Sequence, residues 1–353
     1  MGKKLLKLML DSGAFPAWNR GIKIDLKGYV RFIEKNADLL DCYISLDAIP
    51  KSRDHRQAEL AASSSYSNFR FMKSCGLKPI PVFHYGERWY WLQKLIDECD
   101  GFIALGGAAR LHGVARSAWL DDCFQFLCGA GSYPPVKVHG LAITAPEAMH
   151  RYPFYSVDSV TWMLPPSYGQ VYIPQQGLDG KSDYSRSPYI ISVSSSVGRA
   201  NAHRGASKSS MLHGAHIDTC GEVTRRYICN YLEREGYDLE SLRHDYCARM
   251  RVVTRFFMRS AASVIRKPFR AAVPSIFGRT IGTHAPGKNA HDFHLFFSMC
   301  DSRETLDVLT VEGANDRLLG YHYFVEKPKS LNLRHIVMTG VFPPKPKKPK
   351  KVK

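Results

Sequence analysis

The chain has no run of eighteen apolar residues, so neither a transmembrane helix nor a membrane partner is expected. Its nine cysteines, an odd and scattered set, suit a reducing cytoplasm and not a disulfide framework. No G-x-G-x-x-G follows the first apolar segment, which counts against a dinucleotide-binding domain. The stretch "MGKKLLKLML" begins like a secretory signal, but Lys7 interrupts it and Asp11 ends it with no cleavage-site pattern. It is expected to be a buried strand. Acidic residues are scarce, 32 against 49 basic ones.

The resulting formal charge is +17. The tail "PPKPKKPKKVK" (343–353) holds six lysines, and removing them still leaves +11 on the remainder. An excess of that size points to a polyanion, most simply nucleic acid. A chain of 353 residues, 44% hydrophobic, can bury a substantial core as one large domain with an extension, or as two domains.

Up to about residue 165, short apolar strands alternate with helical segments such as "LKGYVRFIEKNADLL" and "ERWYWLQKLIDEC". The strands share a punctuation. "LLKLMLDSG" delivers Asp11, "DCYISLDAIP" Asp47, "KPIPVFHYGE" His84, and "DGFIALGGAAR" Gly106 and Gly107. "VKVHGLAIT" and "YSVDSVTW" add His139 and Asp158. Alternating strands and helices indicate βαβ units and a parallel sheet. Polar residues gathered at strand C-terminal ends favour a (β/α)8 TIM-like barrel over an open doubly wound sheet. The expected fold class is α/β. Residues 1–165 would supply six barrel strands, and 166–353 the rest of the barrel with a mainly helical basic elaboration. "PYIISVSS" and "RHIVMTGVF" are the candidates for the two remaining strands.

After residue 165 the pattern changes. Residues 180–211, rich in Ser, Gly, Arg and Lys, read as a mobile surface segment, and a helical region follows from about 218 to 267. A helix over about 248–267 contains no acidic residue. Arg251, Arg255, Arg259 and Arg266 share one stripe, Met250, Val253, Phe256, Phe257 and Val264 another, and Pro268 ends the pattern. Solubility normally mixes charge signs, so this stripe is expected to meet a phosphate backbone, a solvated face being the alternative. The Lys/Pro tail is expected to be disordered.

Each strand-end residue has a plain structural use: Asp11 and Asp47 as helix N-caps, Gly106-Gly107 as a turn, His84 and His139 as satisfied polar groups. Taken together they suit a purine. Carboxylates accept from the N–H edge of guanine, glycine amides meet its carbonyl oxygen, and a remaining carboxylate can attack the anomeric carbon of a sugar.

"DSGAF" resembles the D-S-G-G-F signature of queuine/archaeosine tRNA-guanine transglycosylases. It is closer still to DpdA-type DNA-guanine transglycosylases of bacteria and phages, which insert 7-deazaguanines into DNA. The likeness continues in order through "SLDAIP", "PVFHYGE", "FIALGG", "KVHGLAIT" and "PFYSVDSVTW", over about residues 6–163. It implies that Asp158 is the nucleophile that bonds to the sugar and that Asp11 handles the proton of the base and contacts its edge. Asp47 would bind the base as a second acid, and Gly106 and Gly107 would meet its carbonyl. His84 stands where the tRNA enzymes carry a glutamine that touches the base, His139 belongs to the same site, and Phe15 would stack on the purine.

The chain departs from the tRNA enzymes in two ways. It has no C-x-C-x-x-C zinc spacing, and His213, His216, Cys220 and Cys229 form no recognised zinc pattern, so zinc is not expected. Asp11 also arrives almost at once, without the strand that precedes the motif in those enzymes. The expected function is therefore exchange of guanine in DNA for a free 7-deazaguanine, such as the 7-cyano form, with that base as co-substrate and no cofactor required. The alternatives are the same exchange on tRNA, or a non-catalytic nucleic-acid-binding protein. The compartment would be the cytoplasm, that of the host if a phage encodes the chain.

Overall fold

The computed structural model describes residues 7–50, 54–107, 111, 113–129, 131–195, 215–265, 267–269, 293–299 and 318–323. The chain opens with β1 (Lys7–Asp11), α1 (Ala14–Asn19), α2 (Leu26–Lys35) and β2 (Cys42–Tyr43). It continues through α3 (His55–Ser74), β3 (Val82–His84), α4 (Trp89–Glu98), β4 (Phe102–Gly106) and α5 (Gly113–Cys128). Next come β5 (Lys137–Gly140), α6 (Pro146–Arg151), β6 (Ser156–Ser159), α7 (Leu164–Ser167) and β7 (Gln170–Ile173). Short strands β8 (Gln175–Gln176), β9 (Ser182–Asp183) and β10 (Tyr189–Ser192) precede α8 (Glu222–Arg234), α9 (Leu239–His244) and α10 (Tyr246–Ser263). The last described elements are β11 (His294–Met299) and β12 (Leu318–Tyr323).

Eight strands form one sheet in the order β2-β1-β12-β11-β6-β5-β4-β3, and every recorded pairing within it is parallel. The outermost strands of that order are linked as well. Ile44 forms a parallel bridge with Ile80, where Ser45 N–H donates to the Ile80 carbonyl at 2.8 Å and Ile80 N–H to the Tyr43 carbonyl at 2.9 Å.

Side chains alternate between the sheet's two faces, and both faces are buried, as a parallel sheet requires. Leu8, Leu10, Phe83, Ile103, Leu105, Val138 and Val157 belong to the large core that also holds the buried faces of the helices. On the other face, Met9, Ile44, Ile80, Val82, Ala104 and Phe296 make a smaller apolar cluster of their own.

The two strands completing this sheet are β11 and β12. The segment "PYIISVSS" instead supplies β10, which pairs antiparallel with β7 in a separate two-stranded sheet; "RHIVMTGVF" lies outside the described residues. Part of the expected mobile segment 180–211 is thus paired strand, at β9 and β10, while 196–214 lies outside the described residues. A second core of Val171, Ile173, Ile191, Ile228, Leu232 and Leu242 joins β7 and β10 to α8 and α9. Helix α10 serves both cores: Met250, Val253, Phe256 and Phe257 enter the first, Ala248 and Val252 the second. It ends at Ser263, short of the expected residue 267, because Val264 turns to extended backbone and is itself buried. No described helix is long and apolar enough to cross a membrane.

Candidate active site

Strand alternation places the expected site residues on the face of the smaller apolar cluster. Asp11 lies two residues beyond Met9, His84 two beyond Val82, and Gly106 two beyond Ala104. Asp158 pairs in register with Phe296 of the same cluster, and Ser156 with His139. Asp11, His84 and Gly106 are each the last residue of their strand, and Asp158 is the last but one. Gly107 follows directly on β4. Asp47 lies beyond β2 and its Ile44 bridge, in irregular backbone, so the expected strand ends earlier there.

Neither Asp11 nor Asp47 caps a helix. Gly13 stands at the N-cap of α1, while Asp25, Asp54, Asp238 and Asp245 cap α2, α3, α9 and α10. The ordinary use of aspartate in a βα loop is thus filled by other residues.

Two hydrogen-bonded groups emerge. In the first, Asp47 Oδ1 accepts from the Ser12 hydroxyl at 2.8 Å, and Asp47 Oδ2 lies 2.9 Å from His84 Nε2. His84 Nδ1 lies 3.1 Å from Glu87 Oε1, and Glu87 Oε2 accepts from the His84 backbone N–H at 3.1 Å. The ring is 5% exposed. Burial alone would lower its pKa, but hydrogen bonds to Asp47 and Glu87 and the field of both carboxylates push it up to about 10. His84 therefore carries a proton on both ring nitrogens at neutral pH, and both point at protein carboxylates. Through Nε2 it holds Asp47, and through Nδ1 it is held by Glu87.

Gly106 makes this packing possible. A Cβ there would stand 2.9 Å from His84 Cδ2 and 2.8 Å from Val82 Cγ1. Gly107 needs its φ of +80°, and a Cβ on it would press the Tyr85 amide at 3.1 Å.

In the second group, Asp158 is 2% exposed and His139 fully buried. Asp158 Oδ1 accepts from the Ala142 amide at 3.0 Å and lies 3.3 Å from His139 Nε2, while His139 Nδ1 contacts Ser156 Oγ at 2.8 Å. His139, fixed by Ser156, thus packs its Nε2 against the Asp158 carboxylate, which the Ala142 amide orients. Among the described residues, Ala142 is the only non-glycine at positive φ, 57°.

Tyr29 donates to the Ile44 carbonyl at 2.7 Å, and its pKa is raised by burial and by the charges of Asp11 and Asp47. Phe15 follows Asp11 on α1, is 49% exposed, and stacks on Trp18 at 6.1 Å between centroids. The chain matches no family model, no curated protein and no solved structure.

Motif reading alone did not single out Ser12, Glu87, Ala142 or Ser156. Glu87 had a local signal, since it stands three residues after His84 across the Tyr85–Gly86 turn. The other three act through a hydroxyl or an amide, which side-chain patterning does not reveal.

The arginine stripe is only partly open. Glu235, at the end of α8, receives two hydrogen-bond-length contacts from Arg259, at 2.9 and 2.7 Å, and Arg255 donates to its carbonyl at 2.7 Å. Arg251 is half-buried, and Arg266 lies outside the described residues. Among the described residues, no group of three or more His, Cys, Asp or Glu side chains is arranged to hold a metal. His216 Nδ1 instead accepts from the Asp218 amide at 3.2 Å, and Cys220 Sγ contacts the His216 carbonyl at 3.5 Å. Cys229 packs beside the second core, and His213 lies outside the described residues.

Proposed function

We propose that the chain is a guanine transglycosylase acting on DNA, built on a closed (β/α)8 barrel. Two observations support closure. The Ile44–Ile80 bridge joins the two outermost strands. Adding the register offsets of successive pairs around the ring also returns to β1 displaced by eight residues, the shear of a (β/α)8 barrel.

The observation that carries the functional reading is the shared face and height of the two acids. Asp158 and Asp11 are separated by three strand steps through β11 and β12, about 14 Å along the sheet. With a shear of eight, Asp158 falls level with Leu10, one residue below Asp11. Two carboxylates at one height across a barrel mouth leave space for a nucleoside between them. In this reading the Asp158 carboxylate attacks C1′ of an extruded guanine nucleotide as the C1′–N9 bond breaks, and Asp11 delivers the proton to the departing base. A 7-deazaguanine then enters, gives its N9 proton to Asp11 and displaces Asp158 from C1′. One glycosidic bond replaces another, so the exchange balances without a redox or nucleotide cofactor. Ala142 N–H and His139 bear on one oxygen of Asp158 and hold the carboxylate still for attack.

Asp158→Ala and Asp158→Asn are expected to abolish incorporation of labelled base while leaving nucleic-acid binding within about twofold; incorporation by either variant removes Asp158 as nucleophile. Mass spectrometry of nucleosides from the DNA and the tRNA of expressing cells separates the DNA substrate from tRNA. Deazaguanine found only in tRNA overturns the DNA reading and keeps the chemistry.

A further inference from the structure

We propose that Glu87 is a positioning residue: through His84 it locks Asp47 as an acceptor-only carboxylate, and this lock makes the site choose purines with N–H donors on the ring edge over purines with a lone pair there. The proposal rests on the placement of a purine against Asp47 in the preceding reading, and it adds a residue and a selection rule to it.

The geometry is specific to Glu87. Its two oxygens take two different donors of one residue, the His84 backbone N–H and Nδ1, both at 3.1 Å. Such a two-point grip stops the imidazole from rotating and keeps Nε2 aimed at Asp47 Oδ2, 2.9 Å away. Ser12 donates to the other oxygen of Asp47. A donor from the protein thus meets each oxygen of Asp47, and the lone pairs that remain are fixed in direction as acceptors. A ring N–H and an exocyclic amine, as on guanine or 7-deazaguanine, satisfy those lone pairs. The ring nitrogen that adenine presents at the same place brings a lone pair of its own and leaves a buried acceptor facing an acceptor, the mismatch that sites of this kind reject most strongly.

Space behind the lock excludes another approach. The cavity beside Asp47 and Glu87, lined also by Ser45, Ser65 and Trp91, measures about 10 Å³ and is at the limit for one water. That space is too small to admit a purine. Without the Glu87 carboxylate, His84 keeps a single partner and gives up its second proton at lower pH. The imidazole is then free to turn, and Asp47 loses the fixed donor on Oδ2 that sets the direction of its remaining lone pairs.

The test measures equilibrium binding of 7-deazaguanine and of adenine to the full chain by calorimetry, together with the pH titration of the His84 ring by nitrogen-15 NMR. The wild type is expected to prefer 7-deazaguanine and to hold both ring protons to about pH 9. Glu87→Gln should cut the preference by about tenfold or more and move the His84 titration down by at least about one pH unit. Glu87→Asp, too short to span both donors, should do the same, and serves if the first variant does not fold. If the wild type binds no 7-deazaguanine, the purine reading fails and this proposal with it. If the wild type binds selectively and both Glu87 variants keep its preference and its His84 titration, only the role of Glu87 is overturned.

Discussion

Ala142 holds a backbone conformation that costs an L-residue roughly 1–2 kcal/mol, and its amide meets Asp158 there. A strained residue whose N–H orients a buried carboxylate is the kind of local cost found at functional sites. Ala142→Gly keeps the amide and relieves the strain, while glycine's freer unfolded chain offsets part of the gain. Stability by denaturant unfolding is expected to stay level or rise by less than about 1 kcal/mol. Gly106→Ala goes the other way: its new methyl meets Val82 and His84 inside contact distance, and a loss of about 1–3 kcal/mol is expected by the same measurement. An unchanged midpoint would mean that the His84 ring has room to move.

At the scale of elements, six strands were legible because a strand ending in a polar residue is a local pattern with a period of two. The remaining two were not. "HLFFSM" is a short apolar run that periodicity cannot assign, and "PYIISVSS" is just as strand-prone, yet it joins β7 because pairing is settled by long-range neighbours. The buried face of α10 was equally legible, but its polar stripe was not, since Glu235 comes from α8. Arg249 was missed too: it is buried, donating to the carbonyls of Pro166 at 3.1 Å and Leu242 at 2.8 Å, and so ties α7 and α9 to α10. Glu235→Ala is expected to destabilise by about 1 kcal/mol, because it removes the carboxylate partner of Arg259 while the Arg255 bond to the backbone carbonyl and the Arg259 bond to Tyr184 persist. Arg259→Ala should accordingly lower stability while barely changing the salt dependence of DNA binding; a slope falling by about one unit would place Arg259 on the phosphates instead.

The whole molecule carries two separable charge effects. His84, held as a cation by Asp47 and Glu87, has a folded pKa of about 10 against 6.5 when exposed. Its contribution to stability is fully present below about pH 6.5 and is lost as pH rises through about 10. His84→Asn should flatten this alkaline decline in unfolding experiments between pH 6 and 10.5, and equal slopes in both proteins would deny the buried charge its role. The second effect is that of the six lysines in the tail. Deleting 343–353 should reduce the salt slope of DNA binding without changing the melting temperature, and an unchanged slope would remove the tail from the interface.

By itself the sequence determined the parallel α/β plan, the excess of positive charge, and which residues stand at the strand ends. These follow from composition and from a two-residue alternation that each segment carries alone. Tertiary structure alone decided what those residues touch. Ser12 and His84 reach Asp47 across 35 and 37 residues of chain, and Ala142 and His139 reach Asp158 across a strand pair. Whether a carboxylate caps a helix, pairs with arginine or is held by a backbone amide and a histidine depends on donors brought to it by the fold, and no local pattern encodes them.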